Sequence, residues 1–278
     1  RGIRAKWRAQ RSWTPEAARE PYDRLFQNYR PPAARVTNVL RQEKTQPRPV
    51  PLNTVAFLKA CSKALKIGPH AALSHAERLY LSGYLSYPRT ESSAYPSSFD
   101  VPAALQQQAS DPRWGYHVRA LLQDRTRLQR GRGGTDAGDH PPITPCRADA
   151  DQLLSGDMRR VYDLVTRHFI ATVSPDAIWR TTSIALHVEG LGEEGADAAA
   201  FSLAGKELAD PGWLAVVLHQ KYGPEAERGE EQKGEGGEEE DEEEGALPPF
   251  SVGETLPLRM PLSERGGSRM AASPSTEA

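Results

Sequence analysis

A tyrosine followed at once by proline, and two residues later by arginine, is an arrangement with chemical uses. In the stretch "GYLSYPRTESSAYP", Tyr87 precedes Pro88, Arg89, Thr90 and Glu91. A tyrosine hydroxyl can attack a phosphodiester and keep the energy of the broken bond in a covalent ester. That chemistry needs a cation where charge builds on the phosphate. It needs a route for protons, since a free tyrosine titrates at about pH 10, and rigid placement of the attacking oxygen. Pro88 fixes its own φ and biases Tyr87 toward extended backbone. Residues two apart in an extended stretch face the same way, so Arg89 falls beside Tyr87, and its guanidinium fork suits a phosphate. Glu91 is next on that side and is a candidate to orient Arg89. A motif this short also recurs by chance, which leaves open a loop tyrosine beside an ordinary surface arginine.

The flanking elements must do the positioning. "ARVTNVLRQE" reads as a strand through Val36, Thr37 and Val39, and the proline-rich run from Lys44 to Pro51 breaks it. "NTVAFLKACSKALKIG" reads as a helix with Asn53 as N-cap, Val55, Leu58, Cys61 and Leu65 on one inner face, and Gly68 as its stop. "PHAALSHAERLYLSG" is a second amphipathic helix, with Leu73, Ala76, Leu79 and Tyr80 inward and Gly83 at its end. Two short helices leading into an extended segment resemble a winged-helix unit. After Pro96 the pattern is loop and helix to Leu128, then a Gly/Pro loop from Gln129 to Pro145. "GDMRRVYDLVTRHFIATV" carries Met158, Val161, Val165 and Phe169 on one helical stripe. "WRTTSIALHVEG" alternates through Thr182, Ile184, Leu186 and Val188; "AAFSLAGKEL" is its expected hairpin partner, and "PGWLAVV" is read as continuing the sheet. Upstream, Thr14 to Arg30 reads as one or two helices. Downstream, "FSVGETLPLRMP" is strand-like and the tail after Pro261 is unpatterned.

The formal net charge of −2 hides two opposed regions. Gly223 to Gly245 holds 12 Asp+Glu against Arg228 and Lys233, and a tract so acidic and repetitive is expected to be disordered. Residues 1 to 140 hold 23 Lys+Arg against 11 Asp+Glu. A basic half of this kind fits a polyanion such as nucleic acid, and equally a well-solvated arginine-rich surface. Cys61 and Cys146 match no metal or disulfide spacing, which points to a reducing compartment. No run approaches the roughly 20 apolar residues of a membrane span. The chain starts at Arg1 with no signal peptide, as a piece of a longer protein would. "DAD" at Asp149 to Asp151 reads as a helix start rather than a metal site.

Longer runs narrow the choice. "HAERLYLSGYLSYPRTES" resembles the active-site segment of type IA DNA topoisomerases, and "DAGDHPPITP" resembles that family's histidine loop. "RPVPLNTV" and "GDHPPITP" are most similar to its topoisomerase III beta branch. The resemblance runs from about Arg35 to Val217. It implies an α+β chain, a fragment of a toroidal fold: a helical, winged-helix-like active-site domain plus a β-rich arch. It makes Tyr87 the nucleophile, Arg89 the phosphate contact, His140 a group that positions or protonates the phosphate, and Glu91 their support. It adds Asn53, Thr54, Arg78 and Thr90 as nucleic-acid contacts. Trp114 and Tyr95 are candidate base-stacking aromatics. The implied activity is ATP-independent breakage, strand passage and rejoining of single strands through a 5′-phosphotyrosyl link. The partner is single-stranded DNA, with RNA left open and no membrane, in an intracellular, nuclear setting. Mg²⁺ is expected for the full-length enzyme, held by a Toprim domain whose acidic cluster is not recognisable here, so this chain alone is expected to be inactive. The alternative is a non-catalytic single-stranded nucleic-acid-binding module. The implied division is a polar helical segment (1–34), first arch strand and linker (35–50), active-site domain (51–155), return helix and arch (156–222), acidic insertion (223–245) and a final segment (246–278).

Overall fold

The structure, a computed structural model, describes residues 2–7, 33–149, 151–188, 200–221, 243–244, 247–259 and 275–277. Two compact units share the chain. One takes Arg1–Lys44, Trp179–Ala209 and Glu235–Ala278; the other takes Thr45–Ile178 and Asp210–Gly234.

The second unit is helical and carries the tyrosine motif. Its first helix, α1 (Thr54–Ala60), starts where Asn53 is extended and its side-chain oxygen accepts the Ala56 N–H at 2.8 Å. That cap satisfies one of the donors a helix start leaves unpaired. The expected inner face holds at Cys61, which is buried, and at Leu58 and Leu65, which pack against the same core, and fails at Val55. Phe57 and Cys61, one turn apart, are buried, whereas Val55 is 59% exposed. Burying a side chain the size of Phe57 stabilises by about 1.5–3 kcal/mol, so the larger apolar group takes the inner face. A π-helical turn follows (Cys61–Leu65) and ends at Lys66, which is left-handed with φ 58°. Gly68, expected to stop this run, is extended and instead precedes α2 (Pro69–Leu81), whose first position is proline. Ala72, Ala76 and Leu79 of α2 are buried, and Tyr80 stays 42% exposed rather than facing inward. Gly83 turns the chain out of α2 with φ 75°, a conformation glycine adopts without strain.

Three further helices, α3 (Val101–Gln106), α4 (Gly115–Gln123) and α5 (Gly156–Thr172), complete the wall behind the motif. The expected stripe of α5 holds: Val161, Val165 and Phe169 are buried, in one cluster with Phe57, Leu79, Leu85 and Leu105. "PGWLAVV" is not a strand. Pro211, Gly212 and Trp213 form a turn, and Leu214–Lys221 is helix α6 with Val216 in the same core. A short apolar run looks alike in a buried strand and a buried helix, so periodicity alone misplaced it.

Trp114, the first candidate for base stacking, is a core residue at 3% exposure. Arg113 lies over its ring at 4.3 Å and forms ion pairs with Asp111, Asp149 and Asp163. Tyr95 is likewise committed: its hydroxyl bonds Thr172 at 2.9 Å and its ring stacks on Phe99 at 4.8 Å. Burial pushes its hydroxyl pKa up. Asp149 accepts the Leu153 and Leu154 N–H groups in a turn, and α5 begins only at Gly156 after its N-cap Ser155, so Asp149 is not the helix start expected there.

The other unit is a sheet. Its strands are β1 (Gly2–Arg4), β2 (Lys6–Trp7), β3 (Ala33–Gln46), β4 (Ala177–Val188), β5 (Ala200–Asp210), β6 (Glu243–Glu244), β7 (Thr255–Arg259) and β8 (Ser275–Glu277). Their order is β1-β8-β7-β3-β4-β5-β2, with β6 parallel to β5. The expected alternation of β4 places Ile184, Leu186 and Val188 in a core with Val36, Phe201, Leu203 and Leu256. β5 lies beside β4, as the hairpin reading required. The chain is thus α+β. The helices expected between Thr14 and Arg30, and the acidic tract up to Glu242, lie outside the described residues. Glu243 and Glu244, at the end of the tract expected to be disordered, form β6. The described residues of the segment expected to be helical up to residue 34 lie in or between β1, β2 and the start of β3. No helix among the described residues is long and apolar enough to cross a membrane.

Candidate active site

Two loops of the helical unit are laced together. The segment after α2 runs through Tyr84, Ser86 and Ser93; the Gly/Pro loop returns from Thr135 to Cys146. The Cys146 N–H donates to the Tyr84 carbonyl at 2.8 Å and the Ser86 N–H to the Thr144 carbonyl at 2.9 Å. At the far end the Ser93 and Ala94 N–H groups both reach the Thr135 carbonyl. The Ser86 hydroxyl accepts the Thr144 N–H at 2.9 Å and donates to the Pro142 carbonyl at 3.2 Å. Gly134 has φ 81°, and a Cβ there would collide with the Ser93 carbonyl oxygen, so the close approach needs glycine. Backbone polar groups in such loops must find partners, and here each loop supplies the other's.

Between the anchors, α1 grips the tyrosine loop. The Thr54 N–H donates to the Thr90 carbonyl at 3.0 Å, and the Thr54 hydroxyl accepts the Thr90 N–H at 2.8 Å. The same hydroxyl lies 2.8 Å from the Pro88 carbonyl as donor. Thr54 therefore holds the backbone on both sides of Arg89. The Asn53 amide caps α1 and reaches the Glu91 carbonyl at 3.5 Å. Thr90 is buried, and its hydroxyl donates to the His140 carbonyl at 2.9 Å. The side chains of Thr54, Asn53 and Thr90, expected on nucleic acid, are thus occupied in building the loop. Arg78 is exposed on α2, beside Glu77.

Asp139 ties the last knot. Its carboxylate accepts the Ser92 hydroxyl at 2.9 Å and the Glu91 N–H at 3.1 Å. The His140 N–H foremost, then those of Glu91 and the Ser92 hydroxyl, hold its pKa down at about 2, below an ordinary 3.8. Nothing in a single sequence marks this aspartate as different from Asp136, three residues earlier.

These constraints set Tyr87 against two rings. His140 lies edge to face at 4.7 Å between centroids, and Tyr80 of α2 does the same at 5.3 Å. Tyr87 is half-buried and His140 exposed, so the nucleophile candidate is fixed on its flanks and open in front. Arg89 is exposed, and its Nε and Nη2 both donate to one oxygen of Glu77, at 2.8 and 2.7 Å. The carboxylate that orients Arg89 is therefore that of Glu77, on α2, rather than Glu91. Glu91 is exposed and enters the structure through its backbone. The sequence placed Glu91 on Arg89 by strand periodicity, whereas Thr54 and Asp139 hold this loop through its backbone. Glu77 was legible only as a helix residue near Tyr80.

Among the described residues no group of three His, Cys, Asp or Glu is placed to hold a metal ion. Asp149 is spent on Arg113 and its own turn. The described residues do not make a Mg²⁺ site.

The family model described as DNA topoisomerase matches residues 2–264 of the chain. DNA topoisomerase 3-beta of Arabidopsis thaliana is 40% identical over 215 residues, covering 77% of this chain and 23% of that protein. DNA topoisomerase 3-beta-1 of Homo sapiens is 42% identical over 203 residues, covering 71% of this chain and 22% of that protein. The chain thus spans less than a quarter of the length of each of these two relatives. The solved structure of full-length topoisomerase I from Thermotoga maritima superposes with a TM-score of 0.56 at 15% identity, covering 91% of this chain and 36% of that one; this likeness speaks for the fold alone.

Proposed function

Because this chain belongs to the type IA DNA topoisomerases, in their topoisomerase III beta branch, we propose that it carries the nucleophile half of an ATP-independent strand-breaking and rejoining site. The observation that carries the reading is the placement of Tyr87 between His140 and Tyr80 with Arg89 two residues on. Tyr87 Oη attacks a backbone phosphorus. The Oη–P bond forms as the P–O3′ bond breaks, the phenolic proton leaves, and the departing 3′-oxygen takes up a proton. The 5′-phosphate stays on Tyr87. Reversal restores the strand, and no ATP is consumed because the ester conserves the bond energy. Arg89 stabilises the charge growing on the phosphate oxygens. His140, exposed beside the phenol, is the group within reach for proton exchange.

The substrate in this reading is single-stranded DNA. These three side chains address the phosphate backbone rather than a base edge, so a single-stranded RNA falls within the same proposal. An intracellular, nuclear setting belongs to it as well, on the likeness to eukaryotic relatives. Mg²⁺, if used, would be held outside the described residues.

Polarity tests this. The chain is supplied with Mg²⁺ and the Toprim part of a topoisomerase 3-beta relative, then denatured after incubation with an end-labelled oligonucleotide. A 3′-end label must remain on the protein and a 5′-end label must be released with a free 3′-hydroxyl. The opposite polarity overturns the proposal.

A further inference from the structure

We propose that Glu77 is a positioning residue for Arg89, holding one edge of its guanidinium so that the other edge faces the phosphate at Tyr87; this rests on the nucleic-acid-cleaving reading of the site. Glu77 and Tyr80 are three apart on α2 and so share a face of that helix. Tyr87 and Arg89 are two apart in the loop. The two spacings meet one to one: Tyr80 touches Tyr87, and Glu77 binds Arg89. One rigid helix, anchored in the core through Ala76 and Leu79, thus sets the nucleophile and its cation together.

The geometry of the pair is informative. Glu77 Oε1 takes Nε at 2.8 Å and Nη2 at 2.7 Å, the side edge of the guanidinium. The end edge, with Nη1 and the second hydrogen of Nη2, keeps the fork that matches two phosphate oxygens. The pair is exposed, with side chains 56% and 39% accessible, and exposed pairs of this kind stabilise a fold little. Its value lies in restricting a long, rotamer-rich side chain before the phosphate arrives.

Anisotropy with a short fluorescent oligodeoxythymidylate tests this in the chain itself, using Glu77→Ala, Arg89→Ala, the double substitution and Glu77→Gln. Glu77→Ala is expected to weaken binding roughly threefold or more, and to change nothing further once Arg89 is alanine, as coupled residues do. Glu77→Gln keeps an oxygen at the same place and is expected to stay within about twofold of the unaltered chain. The Arg89 Nε–H resonance should be sharp in the unaltered and glutamine forms and broadened in Glu77→Ala. Unchanged or tighter binding by Glu77→Ala overturns the inference, as does an equal loss in the Arg89→Ala background. The readout uses unreacted oligonucleotide. Failed strand capture with intact coupling therefore rejects only the cleavage reading, and lost coupling with intact capture rejects only this inference. No salt-sensitive binding by the unaltered chain rejects both.

Discussion

The ring of Tyr87 meets the ring of His140 edge to face at 4.7 Å, although one stands just after a helix and the other in a distant loop. The contact exists because the Ser86–Thr144 and Ser93–Thr135 hydrogen bonds hold the two loops in register on either side of it. His140 is exposed, so its removal costs the fold little. His140→Gln is expected to slow formation of the protein–DNA adduct by about a hundredfold or more, the usual share of a proton-transferring group, while leaving the unfolding midpoint nearly unchanged. Quenched-time-course capture with urea denaturation on the same preparation measures both.

Thr54 should behave oppositely. Its hydroxyl accepts the Thr90 N–H and donates to the Pro88 carbonyl. Thr54→Val keeps the shape and leaves the Thr90 N–H without that partner. A loss of about 1–3 kcal/mol of unfolding free energy is expected from the orphaned group, together with slower capture because the backbone around Arg89 loosens. Chemical denaturation and the capture rate read the two effects.

Acid should act on the same loop through Asp139. Its folded pKa, about 2, is depressed below 3.8. The stabilisation from its ionised form is present above the unfolded value and is lost as pH falls toward the folded one. The stability gap between the unaltered chain and Asp139→Asn is therefore expected to close between about pH 5 and about pH 2. Denaturant titrations across that range would show it. A gap constant with pH would remove Asp139 from the account.

Behind the site, Arg113 is the cation for Asp111, Asp149 and Asp163, and the side chains of Asp111 and Asp149 are 0% exposed. Burial, the largest influence on Asp163, pushes its pKa up against the pull of Arg113. Arg113→Met strands these carboxylates and is expected to cost about 3–5 kcal/mol, as removal of one partner of a buried ion pair does. Thermal and urea unfolding would measure it.

The sequence showed the tyrosine motif, the Asn53 cap, the α5 stripe and the β4 alternation because each is local: a spacing, a cap or a period visible within one segment. It did not show Glu77 on Arg89, or Asp139 under the His140 loop, since those pairings join segments whose approach is set by loop hydrogen bonds. Trp114 and Tyr95 were misplaced for a related reason. An aromatic amid polar residues suits a stacking surface or a core, and only the packing of α5 against them decides. Val55 and Tyr80 were misplaced because an apolar count cannot see that Phe57 fills the inner face of α1, or that the Tyr80 ring packs on Tyr87 rather than in the core.

The central claim is that Tyr87 becomes joined to the nucleic acid. The most direct measurement mixes the chain with 3′-labelled single-stranded DNA, Mg²⁺ and the Toprim part of a topoisomerase 3-beta relative, denatures the mixture, and looks for label on the protein, with Tyr87→Phe beside it. The expected result is a labelled band carrying the Tyr87 peptide, absent in Tyr87→Phe, which keeps the ring contacts and lacks only the oxygen. A labelled band that survives the substitution, or none from an unaltered chain that binds the same DNA and the same partner, would contradict the account.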